Sequence, residues 1–225
     1  KEIVSVGLPA AITTLLASLA NMLLNVLASG YGDLAVAAAG VTKKIDSLPR
    51  KVSGGLTQGV LPLIGYNYAA KKYRRMFDVR NYSLRLVLII MAVFMALFLW
   101  QAPNIIRLFI DNDEVVEMGA AFMRIISVCL PMMGINFMIR NTFQAVGMGR
   151  QALILSLCRQ GLAYVPLLFL FNHLLGLNGL FYAQILADIV SLSIGLYLYR
   201  NYKRRIKAEM DLAAGPGQPA EALEN

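Results

Sequence analysis

LRLVLIIMAVFMALFLW, residues Leu84 to Trp100, holds one charge, Arg85, at its start, and no glycine or proline. At 17 residues it approaches the length of about 20 residues that a helix needs to cross a bilayer. Five more such stretches lie around it: about Ile3–Ser29, Leu34–Leu63, Val115–Ala145, Gln151–Phe171 and Leu177–Tyr199. The first is free of charge, and Gly30–Asp33 forms a tight turn after it. The second is longer than a bilayer requires and carries charge. From about Ala208 the chain reads AEMDLAAGPGQPAEALEN, a composition that favours disorder. The expected fold class is therefore all-α, an integral membrane six-helix bundle over residues 1–207. A disordered cytoplasmic tail is expected over 208–225. The chain opens on Lys1, which suggests a piece of a longer protein.

Composition agrees with a membrane protein. Apolar residues make up 58% and charged residues 15%, against about 45–50% and about 25% in soluble domains. The net charge of +8 does not call for a nucleic-acid partner, because its sources sit beside the apolar runs. Lys71, Lys72, Arg74, Arg75 and Arg80 follow the second run. Arg150 follows the fourth, and Arg200, Lys203, Arg204, Arg205 and Lys207 follow the sixth. The opposite loops hold Arg107 against Asp33, Asp111, Asp113 and Glu114. By the positive-inside rule both ends of this segment are cytoplasmic, in a multi-pass protein of the cell membrane. Cys129 and Cys158 lie inside apolar runs without a Cys or His partner nearby, and no metal site is expected.

Polar residues inside the spans recur at helical spacing, and such residues face protein or water rather than lipid. The first span has Thr14, Ser18, Asn21 and Asn25. The second has Lys43, Asp46, Arg50, Gly54 and Gln58. The fourth has Asn136, Arg140 and Gln144, the fifth Ser156, Arg159 and Gln160, and the sixth Gln184, Asp188 and Ser191. The third has no stripe and belongs at the lipid-facing periphery. Five striped helices imply a water-accessible cavity. The candidate lining residues are Asn21, Asn25, Lys43, Asp46, Arg50, Gln58, Asn136, Arg140, Gln144, Arg159, Gln184 and Asp188. Asp188 is the one acid well inside the sixth span. It reads either as an ion-coupling site or as one end of a buried ion pair with Arg159, Arg140 or Lys43. Bases outnumber acids in the spans, which favours the pair. Lys43–Asp46 and Asp46–Arg50 have the i+3 and i+4 spacing of helix ion pairs. Pro9, Pro49, Pro62, Pro131 and Pro166 are expected to kink spans. The basic bias of the cavity side is either balanced by a part of the protein outside this segment or suits an anionic or zwitterionic substrate.

Four stretches, in order, resemble one transporter family. GGLTQGVLPLIGYNYAAKKYRRM (Gly54–Met76) resembles the second helix of the C-terminal lobe in multidrug and toxic compound extrusion (MATE) transporters. FIDNDEVVEMGAAFMRI (Phe109–Ile125) resembles the loop that enters the fourth helix of that lobe. FQAVGMGRQALILSLCRQ (Phe143–Gln160) resembles the turn between its fourth and fifth helices, and LNGLFYAQILADIVS (Leu177–Ser191) the start of its last. The resemblance implies one six-helix lobe of a twelve-helix antiporter. Such a protein exports drugs, xenobiotics or amphipathic metabolites in exchange for protons or sodium. It implies partners as well: membrane lipid, a small-molecule substrate and an N-terminal lobe that this chain lacks. No cofactor is implied beyond the coupling ion, H+ or Na+. Some branches of the family carry a coupling acid on the first or fourth helix of this lobe. Here the first helix has none, and the fourth has only Glu117, near its outer end.

Two further readings compete with the antiporter: a flippase for lipid-linked precursors of the same superfamily, and a membrane scaffold that transports nothing. The scaffold leaves the aligned polar stripes unexplained. No nucleophile–base pair, HExxH or phosphate loop is present, so an enzyme is not expected.

Overall fold

The computed structural model describes residues 2–214, and side chains within residues 14–210. Among the described residues there are helices and turns and no strand. Helices α1 (Glu2–Ser29), α2 (Asp33–Ala69) and α3 (Tyr73–Arg107) are each continuous. The fourth expected span is two helices, α4 (Asp113–Ser127) and α5 (Leu130–Ala145), bent by 48° at the break. The fifth is α6 (Gly149–Leu157), a π-turn over Cys158–Leu162, and α7 (Tyr164–Leu175). The sixth is α8 (Gly179–Ala214). The six expected spans are thus six helical passes, and the turns between them fall within the expected connectors but are shorter, because the helices run past the apolar stretches.

By length and apolarity alone, α3 qualifies as a membrane span, and so does the stretch Gly149–Met210. The bent pair α4–α5 qualifies if it counts as one span. The second stretch is far longer than one crossing. It doubles back at Gly176–Asn178, where α8 turns to pack along α7. Helix α2 is less apolar: its first half carries Lys43, Lys44, Asp46, Arg50 and Lys51, and its second half is rich in glycine and polar residues.

The prolines act unequally. Pro49, Pro62 and Pro103 lie inside unbroken helices. Pro131 stands in the first turn of α5, where the N–H it lacks would have no partner anyway. Pro166 follows the π-turn. A proline removes the bond to the carbonyl four residues earlier and clashes with it, and here that carbonyl belongs to Leu162, the last residue of the π-turn. The wider turn closes instead through Ala163 N–H to the Cys158 carbonyl at 2.9 Å. Pro9 lies outside the residues whose side chains are described.

Helix α3 is peripheral, as expected. It packs on α2, α4 and α5 through one stripe that includes Met76, Val87, Met91, Phe98 and Ile106. Ile89, Val93, Leu97 and Trp100 are exposed. Its first turns are helical from Tyr73, so Arg80 belongs to the helix rather than to a loop. The Arg80 guanidinium lies 4.2 Å from the centroid of the Tyr199 ring on α8. Helix α8 continues to Ala214, past the expected boundary at Lys207, and the Tyr73 hydroxyl donates to Glu209 at 3.1 Å. The remainder of the expected tail lies outside the described residues.

Three apolar clusters hold the bundle. One joins α1, α2, α4, α7 and α8 around the stacked rings of Phe122 and Phe181, whose centroids are 4.2 Å apart. A second joins α2, α3, α4 and α5 around Met91, Phe98 and Met133. The third gathers Ile64, Met76, Phe143 and Tyr202 where the end of α2, the start of α3 and the C-terminal half of α8 meet. Between lipid-facing helices close approach matters more than hydrophobic burial, and small residues permit it. A Cβ on Gly179 would stand 1.9 Å from the Phe171 carbonyl oxygen, and one on Gly134 would stand 2.8 Å from Val87 Cγ1. Gly179→Ala should therefore lower the melting temperature of the detergent-purified protein. Gly55→Ala, where the added carbon meets nothing within 4 Å, should hold or raise it by helix propensity. Equal melting of the two variants would contradict the close α7–α8 approach.

Candidate functional site

The polar stripes of four passes meet in one recess of about 80 Å³. Helix α1 contributes Ala17, Ala20 and Asn21, and α2 contributes Lys43 and Arg50. The π-turn contributes Arg159 and Gln160, α7 contributes Tyr164, and α8 contributes Gln184, Ala187 and Asp188. The three alanines leave the room, and the π-turn swings two consecutive polar residues, Arg159 and Gln160, into the same space.

Charge is organised around two ion pairs. Arg159 binds Asp188 through Nε and Oδ1, with side chains 10% and 2% exposed. Arg50 Nε donates to Asp46 Oδ2 at 2.6 Å, one helical turn away. Asp188 is thus held as the sequence reading favoured, and Arg159 is its partner. The alternative i+3 pair, Lys43 with Asp46, is not formed. Lys43 Nζ instead donates to Gln184 Oε1 at 2.6 Å, across to α8. Among the described residues neither Lys43 nor Arg140 belongs to an ion pair. The Arg140 and Arg159 guanidinium groups lie 4.9 and 5.5 Å from the centroid of one ring, Phe137. Among the described residues, four bases around this centre, Lys43, Arg50, Arg140 and Arg159, thus face two acids, Asp46 and Asp188.

The other expected lining residues lie elsewhere. Asn136 is buried and donates to the Asp188 backbone carbonyl at 3.3 Å, joining α5 to α8. Asn25, Gln58 and Gln144 are exposed and do not line the recess. Two polar contributors escaped the stripe reading. Tyr164 lines the recess from α7. Asn141 donates to the Thr57 hydroxyl at 2.8 Å and ties α5 to α2. Tyr164 follows Gln160 by four residues, and that spacing was its one visible signal. Three buried polar atoms of the recess have no hydrogen-bond partner: Gln160 Oε1, the Tyr164 hydroxyl and Asp188 Oδ2.

Removing one member of a buried ion pair strands the other, at about 3–5 kcal/mol. Asp188→Asn should accordingly lower expression and melting temperature, and a second change, Arg159→Gln, should restore part of the loss. The check is thermal unfolding of both variants. Normal melting of the single variant together with lost ion-driven uptake would instead make Asp188 a coupling group.

The MatE family model matches residues 9–170. A multidrug export protein MepA of Staphylococcus haemolyticus is 28% identical over 93% of this chain and 46% of its own length. A MepA of Staphylococcus aureus is 31% identical over 88% of this chain and 44% of its own. The chain thus spans about half the length of the curated relatives it matches. Among solved structures, an outward-facing multidrug resistance MATE transporter superposes with a TM-score of 0.84 at 23% identity, over 92% of this chain and 47% of that one. This last likeness speaks for the fold. The family-model match covers more than half of the residues, and the chain belongs to the MatE family, the multidrug and toxic compound extrusion transporters.

Proposed function

We propose that this chain is the C-terminal six-helix lobe of a secondary antiporter, its last helix running on to Ala214 before a cytoplasmic tail. The antiporter would export drugs, xenobiotics or amphipathic metabolites across the cell membrane in exchange for protons or sodium. One observation carries the reading. Thr14, Ser18, Asn21 and Asn25 are all exposed along one stretch of α1. Polar side chains of a membrane helix are costly against lipid and belong against protein or a water-filled path. A second lobe would cover them, and the half-length match to the MepA proteins supports the same conclusion. The transport path would then run between the lobes, with the recess opening toward it. Asn25, Gln58 and Gln144, exposed here, would line that path together with the residues of the recess. The flippase reading is favoured by one observation, the surplus of interior bases over acids, which suits a phosphate-bearing substrate.

Two measurements test the proposal. Cysteine labelling from outside intact cells, with Cys129 and Cys158 first replaced by Ser, should reach Asn112→Cys and not Lys72→Cys. The reverse pattern would invert the orientation. Drug export should require the second lobe. Efflux by the isolated chain, shown to be monomeric in the bilayer, would refute the half-transporter reading.

A further inference from the structure

We infer that the recess between α1, α2, the π-turn and α8 receives an anionic group of the transported molecule, a carboxylate or a phosphate, with Lys43 as its counter-charge. The inference rests on the export reading above and adds a substrate class and a subsite to it. Both acids of the interior are taken, Asp188 by Arg159 and Asp46 by Arg50. Lys43 has a neutral partner, the Gln184 amide oxygen. The recess lined by Lys43, Arg50, Arg159 and Asp188 therefore keeps a net positive charge, and an ammonium without a counter-ion is expensive at this depth. A cation entering the same space would meet three bases and no free carboxylate pair.

The unpartnered atoms supply the rest of the geometry. The Tyr164 hydroxyl is buried, has no partner and can donate. Gln160 lines the same space with a buried amide oxygen that also has no partner, and half a turn of that amide presents its NH₂ instead. Ammonium, phenol and amide make three donors around one small void. The remaining orphan, Asp188 Oδ2, is an acceptor. It calls for a donor next to the anion: a hydroxyl, an amide N–H or an ammonium on the same ligand. At about 80 Å³ the recess holds this polar group and no more, so the apolar body of the ligand stays outside. Asn21, exposed on α1, stands at the rim.

The test uses the complete transporter, in nanodiscs for binding and in proteoliposomes for export, and three fluorescent amphiphiles with one shared apolar body. One ends in a carboxylate, one in a phosphate monoester and one in trimethylammonium. The wild-type protein should bind at least one anionic probe about tenfold or more tighter than the ammonium probe, a ratio in reach of a single charge-assisted contact. Lys43→Gln should reduce that ratio about tenfold or more. Tyr164→Phe should weaken the anionic probe by about threefold to fivefold. It should leave the melting temperature unchanged or raised, because the hydroxyl lacks a partner when the recess is empty. A tighter phosphate than carboxylate would assign the phosphate class, and the reverse the carboxylate class. Either outcome supports the subsite. Equal or tighter binding of the ammonium probe, or an unchanged ratio in both variants, would overturn it. Export of the ammonium probe alone would overturn the subsite and leave the export reading standing. Export of none of the three would sink both.

Discussion

A charge inside a bilayer must be answered by another charge or by water, and the Arg159–Asp188 pair is where this bundle meets that demand. It links the fifth and sixth passes across their most polar faces, with both side chains nearly sealed from solvent. Around it the bundle has little freedom. Asn136 holds the Asp188 backbone from α5, and Lys43 reaches α8 from α2 through Gln184. Apolar clusters secure both ends of the bundle, yet lipid is as apolar as leucine, so burial alone does little to align one membrane helix with another. Directional contacts at this centre choose which face of each helix turns inward.

The same centre shows why an ion pair need not be inert. Two carboxylates face four bases, and among the described residues around this centre the balance does not close. In a protein that stands still, such a surplus is a cost with no return. In one that binds and releases a charged molecule, the surplus is the part of the site that the ligand completes. The pairing of Asp188 with Arg159 and the availability of Lys43 thus follow from one arrangement.

Most of the fold was legible in the sequence because membrane helices announce themselves by length and apolarity. The six passes and their turns follow from runs such as Leu84–Trp100 and from the basic residues after the second, fourth and sixth. The stripes also named the right neighbours: Asn21, Lys43, Arg50, Arg159, Gln184 and Asp188 share one recess. Three things were not legible. Helical spacing finds a face but cannot say which partner a side chain selects: it leaves Lys43 open to Asp46 or Asp188, and the structure joins it to Gln184. Proline content cannot distinguish an absorbed proline such as Pro49 from one that follows a break, such as Pro131, because the outcome depends on where the missing N–H falls in the turn. Asn25, Gln58 and Gln144 share the spacing of the recess residues, yet they are exposed in a chain that spans about half of its relatives.

The π-turn has a consequence for how the fifth pass tolerates change in its length. A five-residue return, closed from Ala163 to Cys158, accommodates one residue beyond the ordinary helical count. The faces of α6 and α7 are therefore out of phase by about 100°, the rotation of a single residue. Loss of one residue between Cys158 and Leu162 would let the pass run as an uninterrupted α-helix, and the segment beyond it would rotate by that angle. Tyr164 and Leu168 would leave the positions they now occupy, while the span would shorten by only about 1.5 Å. A one-residue change in this turn is therefore a step in angle rather than in depth. Through it, the lining of the recess could be exchanged while the bundle keeps its fit to the membrane.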